Sequence, residues 1–241
     1  MTTTGKIQTK IKKLPKGKSF GYADLGIEKK NYITAAKVLE RMQAKGVIRK
    51  LSKGVFYKPE QSVFGELKPD YSEQLRPYLF DNGKRIAYET GYTLYNRMCL
   101  TTQMAFRVKI ASRSKRISIN RGMLKADAVK SYAEVTEENY ELLGFLDAIK
   151  DIKRIPDCSV SKAVKILTGK IRQFDYSKQQ RLTKYALFYP PRVRALLGAI
   201  FDYLESPVNT DKLKESLNPL TKIQLGLKER DLPTIINWNI E

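Results

Sequence analysis

With no histidine in its 241 residues, the chain has no Ser-His or Cys-His dyad and no imidazole ligand for zinc. The chemistry that remains is that of carboxylates and lysines. Asp70, directly after Pro69, and the later Asp151-Ile152-Lys153 form an acid followed by acid-x-lysine. In that pattern two carboxylates hold a magnesium ion and a lysine lies near the scissile phosphate. The surroundings argue against it, because Asp151 falls at the end of an amphipathic helix rather than on a strand. Gly17-Lys18-Ser19 matches the last residues of a phosphate-binding loop, yet that motif needs a further glycine where this chain has Lys12. We therefore expect no catalytic residue, no metal and no cofactor.

Cations dominate instead. The formal charge is +20, and a protein this basic either meets a polyanion or tolerates strong self-repulsion. Residues 1–60 carry 15 Lys and Arg against 4 Asp and Glu, a net of +11. Two groups stand out. The first is Asn31, Tyr32, Thr34, Lys37 and Arg41 together with Lys50 and Lys53, a set suited to base edges and phosphates. The second is Arg107, Lys109, Arg113, Lys115, Arg116 and Arg121, with no acidic residue between them in sequence. A charge run is most often a solvated face, but this one is also a candidate second polyanion surface.

The elements that must position the first group are legible from spacing. Ala35, Val38, Leu39 and Met42 recur at helical intervals and leave Thr34, Lys37 and Arg41 on other faces. Gly46 is placed to end that helix. Val47-Ile48 and Val55-Phe56-Tyr57 flank Ser52-Lys53-Gly54, which predicts a basic hairpin. Upstream, Ile7, Ile11 and Leu14 predict a first helix, and Phe20 with Tyr22–Leu25 a short second one. Helix, short helix, longer helix and hairpin are the order of a winged helix-turn-helix.

We place a boundary after this module, with one domain at 1–60 and another at 61–241 joined through Phe64-Gly-Glu-Leu-Lys-Pro69. The second reads as helical over Tyr71–Leu79 and Tyr92–Met98. Phe106, Val108 and Ile110 alternate with basic residues, as do Ile117 and Ile119 around Ser118, which predicts a half-buried hairpin with one basic face. Helices follow from Tyr140 to Ile149, from Val160 to Ile171, from Leu182 to Phe188, and after Pro190-Pro191. Trp238 and the isoleucines near it should pack back onto this domain. The fold class is thus α+β: an N-terminal winged helix-turn-helix, then a larger mixed domain with a short β-hairpin and several C-terminal helices. An apolar content of 42% suffices for real cores. Cys99 and Cys158 have no pairing pattern, and we expect both to be buried or half-buried. No run is apolar enough for a membrane span, and the start lacks a signal-peptide stretch, so a cytoplasmic protein is expected.

The segments Lys45-Gly-Val-Ile-Arg-Lys-Leu-Ser-Lys-Gly-Val-Phe-Tyr-Lys-Pro59, Phe64–Pro69 and Thr90-Gly-Tyr-Thr-Leu-Tyr-Asn-Arg-Met-Cys-Leu-Thr-Thr-Gln103 resemble the AbiEi-type antitoxins of bacterial abortive-infection systems. So do Leu146-Asp-Ala-Ile-Lys-Asp-Ile-Lys-Arg-Ile-Pro-Asp157 and Tyr189-Pro-Pro-Arg-Val-Arg-Ala-Leu-Leu-Gly198. Where that family's pattern leads us to expect a glycine before Leu100, this chain has Cys99. The resemblance implies a transcriptional autorepressor that binds double-stranded operator DNA. It also implies a C-terminal domain that counters a nucleotidyltransferase-like toxin without a stable complex. A metal-dependent nuclease targeted by a winged helix is the alternative, and a scaffold for a protein partner is a third reading.

Overall fold

The computed structural model describes residues 3–63, 65–122 and 124–241, and they form a mixed α+β protein with several small sheets. The chain divides into two compact units, residues 1–85 and 86–241.

The first unit begins with α1 (Thr3–Lys13), whose Ile7 and Ile11 are buried. Then β1 (Ser19–Gly21) leads to α2 (Tyr32–Ala44) and to the antiparallel pair β2 (Arg49–Ser52) and β3 (Val55–Tyr57). The three strands form a sheet in the order β1-β3-β2, with Phe20 opposite Phe56. Helices and sheet share one core of Ile11, Phe20, Val38, Leu39, Ile48 and their neighbours. Each such side chain contributes on the order of 2 kcal/mol when removed from water. α2 ends as its sequence predicts, for Gly46 adopts φ +72° and donates to Gln43 O while Val47 donates to Met42 O.

Two expectations here need correction. Tyr22–Leu25 is not a helix: Phe20 enters β1, and residues 22–26 are turns closed by Leu25 N to Gly21 O and Gly26 N to Ala23 O. Nor does the compact unit stop at residue 60. After β4 (Glu60–Ser62) and β5 (Gly65–Leu67), α3 (Tyr71–Leu79) returns to the exposed edge of β1. There the Glu73 carboxylate accepts from Ser19 N at 2.8 Å and Oγ at 2.6 Å, and Arg76 donates to Ser19 O at 3.0 Å. These bonds fill donors and an acceptor that an edge strand leaves open. A two-stranded hairpin, β6 (Phe80–Asp81) and β7 (Lys84–Arg85), closes the unit. Phe64, at the start of the expected connector, lies outside the described residues.

The second unit opens with β8 (Ala87–Thr90) and α4 (Tyr92–Arg97), then β9 (Val108–Ser112), β10 (Ile119–Arg121) and β11 (Leu124–Lys130). The sheet order is β10-β11-β9-β8. The expected hairpin between residues 107 and 121 is therefore absent. β11 intervenes, pairing parallel with β9 and antiparallel with β10. Val108 and Ile110 still point into the core with Lys109 outward, but Phe106, expected to share their face, precedes the strand and is 80% exposed.

Helices α5 (Tyr140–Lys150), α6 (Val160–Arg172), α7 (Tyr176–Ala186) and α8 (Pro191–Tyr203) complete the core with α9 (Asp211–Glu215). Ser159 caps α6 and Asp175 caps α7, each accepting from a backbone N–H three residues on. The cap at Asp175 sets the start of α7 ahead of the expected Leu182. A 3-10 segment, Pro233–Trp238, lies on α8. Trp238 fills the space that Gly198 leaves by lacking a Cβ, and its Nε1 donates to Asp202 at 2.7 Å. Cys158 is half-buried, whereas Cys99 is exposed and adopts φ +62°. Cys99 N bonds Asn96 O and Leu100 N bonds Tyr95 O, a helix end that ordinarily takes glycine. No helix among the described residues is long and apolar enough to cross a membrane.

Candidate nucleic-acid interface

Burying Ala35, Val38, Leu39 and Met42 turns the other side of α2 to solvent. Tyr32, Thr34, Lys37 and Arg41 are all exposed there, and Asn31, which precedes the helix, is half-buried. The Tyr32 ring rests against Tyr22, with centroids 5.0 Å apart. Arg41 Nε donates to Lys37 O at 3.2 Å, so the two cations share one stretch of the helix. Ile33, which spacing did not single out, is 76% exposed beside them. The signal was present, because Ile33 falls outside the apolar stripe.

On the β2–β3 hairpin, Lys50 and Lys53 are exposed, Lys53 in the turn before Gly54 at φ +73°. Arg49 is committed elsewhere. Its Nε and Nη2 meet the two oxygens of Glu66 at 3.0 and 2.9 Å, a bidentate pair that ties β2 to β5.

The second basic group is less unified than its sequence run implies. Arg107 forms a bidentate pair with Asp127 of β11, at 2.9 and 2.6 Å, and this pair holds the Asp127 carboxyl below its ordinary range. Lys109 lies on β9 and Arg121 on β10, with β11 between those strands. Arg113, Lys115 and Arg116 do come together, lining with Lys130 a notch of about 360 Å³ after β9.

The acid and acid-x-lysine residues have other employment. Asp70 caps α3, accepting from Glu73 N and Ser72 Oγ at 2.8 Å each, and those bonds lower its pKa. Asp151 accepts from Tyr95 Oη at 2.8 Å, and Lys153 donates to Gln224 O at 3.0 Å. Among the described residues no three Cys, Asp or Glu side chains converge as a metal site would require.

A further carboxylate is buried and accepts several hydrogen bonds. Asp147, in the apolar run Leu142–Ile149 of α5, is 2% exposed. It accepts from Tyr88 Oη at 2.9 Å, Thr90 Oγ1 at 2.8 Å and Tyr189 Oη at 3.3 Å, and pairs with Lys150 at 3.1 Å. Burial, followed by the charge of Asp147, pushes the Tyr88 and Tyr189 hydroxyls far above the ordinary phenol range. They act as permanent donors. A lone acid within an apolar run was the available clue, but apart from Lys150 its partners come from distant segments.

A family model matches residues 6–167, which hold all three strands of the first sheet and all four of the second-unit sheet. The chain belongs to DUF6088, a family of unknown function. No curated protein matches it. The DUF6088 match also takes in the Asp147 network except for Tyr189.

Proposed function

We propose that the N-terminal unit is a winged helix-turn-helix that binds duplex DNA, with α2 in the major groove and the β2–β3 hairpin as the wing. The observation that carries this reading is the β1-β3-β2 sheet with α2 leading into the β2–β3 hairpin. It leaves Thr34, Lys37 and Arg41 exposed on the helix and Lys50 and Lys53 on the hairpin. Turns stand where the second helix of that motif would be, so α2 is oriented by its contacts with α1 and the sheet. The overall charge of +20 supports a polyanion as the partner.

On the resemblance to AbiEi-type antitoxins, the chain represses its own operon, and its second unit counters a nucleotidyltransferase-like toxin without a stable complex. The cytoplasm is the matching location. The chain works without catalysis, a view supported by the structural employment of Asp70 in the first unit and of Asp151 and Lys153 in the second. The test is a gel shift of the full chain on duplex DNA from upstream of its own gene, run beside plasmid incubation with magnesium. Binding that survives excess random competitor, with the plasmid intact, is the expected result. Magnesium-dependent cleavage abolished by Asp151→Asn would replace this reading with the nuclease.

A further inference from the structure

A cleft of about 650 Å³ opens in the first unit, lined by β1 and the turn after it, by α3, and by three further elements. Lys53 and Gly54 of the β2–β3 turn form one side, Tyr32 marks the start of α2, and Asn82 and Gly83 at the tip of the β6–β7 hairpin form another. The β6–β7 hairpin thus shares a face with the residues already assigned to DNA.

Its geometry is that of a stiff arm. Asn82 at φ +48° and Gly83 at φ +77° make the two-residue left-handed turn that matches strand twist, with Asp81 opposite Lys84 and Phe80 opposite Arg85. The Arg85 guanidinium lies 4.6 Å from the centroid of the Phe80 ring. The preceding helix α3 is fastened to β1 through Glu73 and Arg76, so the arm is held in a fixed relation to the β2–β3 turn. Asn82, Gly83 and Lys84 at its tip are exposed. The two acids beside the cleft are already engaged. Asp24 accepts from Gly21 N at 2.8 Å and pairs with Arg76 at 3.6 Å, and Asp81 accepts from Asn82 Nδ2 at 3.2 Å.

We propose that the β6–β7 hairpin is a second nucleic-acid contact, with Lys84 on a backbone phosphate and the Asn82-Gly83 turn against the same strand. The DNA backbone then passes between this tip and Lys53. The assignment rests on the winged-helix reading above and extends the interface beyond the module at residues 1–60.

The probe is a short duplex recovered by the wild-type full-length chain from a random-sequence pool. Affinity is measured across a salt series and contacts by hydroxyl-radical footprinting. One lost phosphate contact lowers the slope of log K against log salt by about 0.9, so Lys84→Ser should reduce the slope by that amount and weaken binding roughly three- to tenfold. Protection should disappear at one flank of the footprint only. Lys84→Arg should restore both. Asn82→Gly, which keeps the left-handed turn, should shorten the same flank. An unchanged slope and footprint in Lys84→Ser, with the wild-type chain binding normally, overturns the hairpin contact and leaves the winged helix standing. If the wild-type chain recovers no duplex, both fall together.

Discussion

The Tyr88 hydroxyl donates to the Asp147 carboxylate at 2.9 Å, across 59 residues of sequence. With Thr90 and Tyr189 on the same side chain, this contact joins β8 and the segment just before α8 to α5. A buried carboxylate with several donors and a lysine partner is tolerated only because its lone pairs are filled. Asp147→Ala would leave Lys150 and the Tyr88 and Thr90 hydroxyls without it, while Tyr189 keeps its bond to Leu143 O at 3.0 Å. We expect a loss of about 3–5 kcal/mol in urea unfolding followed by circular dichroism, and roughly 1–2 kcal/mol for Tyr88→Phe, where Thr90 still donates. A loss below about 1 kcal/mol for Asp147→Ala would show that the network carries no stability.

Because α3 completes the edge of β1, fragments should report where the first unit ends. A 1–85 fragment should melt cooperatively. A 1–60 fragment, lacking Glu73 and Arg76 beside Ser19 and the fully buried Leu75, should melt lower or not fold. Equal melting temperatures would return the boundary to residue 60.

Within the DNA reading, side chains on α2 and on the hairpin should differ in kind. Lys37→Ala, and Ile33→Ala through a lost thymine-methyl contact, should relax sequence preference by about 1–3 kcal/mol at one position. Lys53→Ala should weaken binding to every duplex alike and flatten its salt dependence. Competition with point-mutated duplexes separates the two patterns. Identical effects on cognate and random DNA would remove the division.

Cys99 sits at a helix end with φ +62°, a backbone region that costs a residue with a side chain about 1–2 kcal/mol. It is exposed, so little packing is lost on replacement. Cys99→Gly should therefore raise the thermal midpoint, with a gain of about 1 kcal/mol after the added chain entropy of glycine is subtracted. A lower midpoint would mean that the thiol makes a contact worth more than the strain.

What could be read in the sequence followed from punctuation and period. Gly46 ends α2 and Gly54 sits in the β2–β3 turn, and the apolar stripe of α2 is intact, so both elements were legible. Ser19-Phe20-Gly21 is too short to show an alternation, and it becomes a strand only because Val55–Tyr57 pairs with it. β11 escaped for a related reason: Leu124-Lys-Ala-Asp-Ala-Val-Lys130 has weak strand propensity, and its parallel pairing with β9 is a long-range choice. Asp127 likewise comes beside Arg107 only through that pairing, so the second basic run looked more uniform in sequence than it is in space. The hydroxyl donors to Asp147 lie 59, 57 and 42 residues away, beyond the reach of any local pattern.

Trp238 is the sole tryptophan of the chain, 2% exposed and hydrogen-bonded to Asp202 in the second unit. Indole emission therefore reads that unit alone, provided the excitation lies beyond the absorption of the first unit's tyrosines. With the optical signal confined to one unit, the order in which the two halves unfold can be followed without attaching a label. Far-ultraviolet ellipticity reports both units, and any transition it detects that tryptophan emission does not share belongs to residues 1–85.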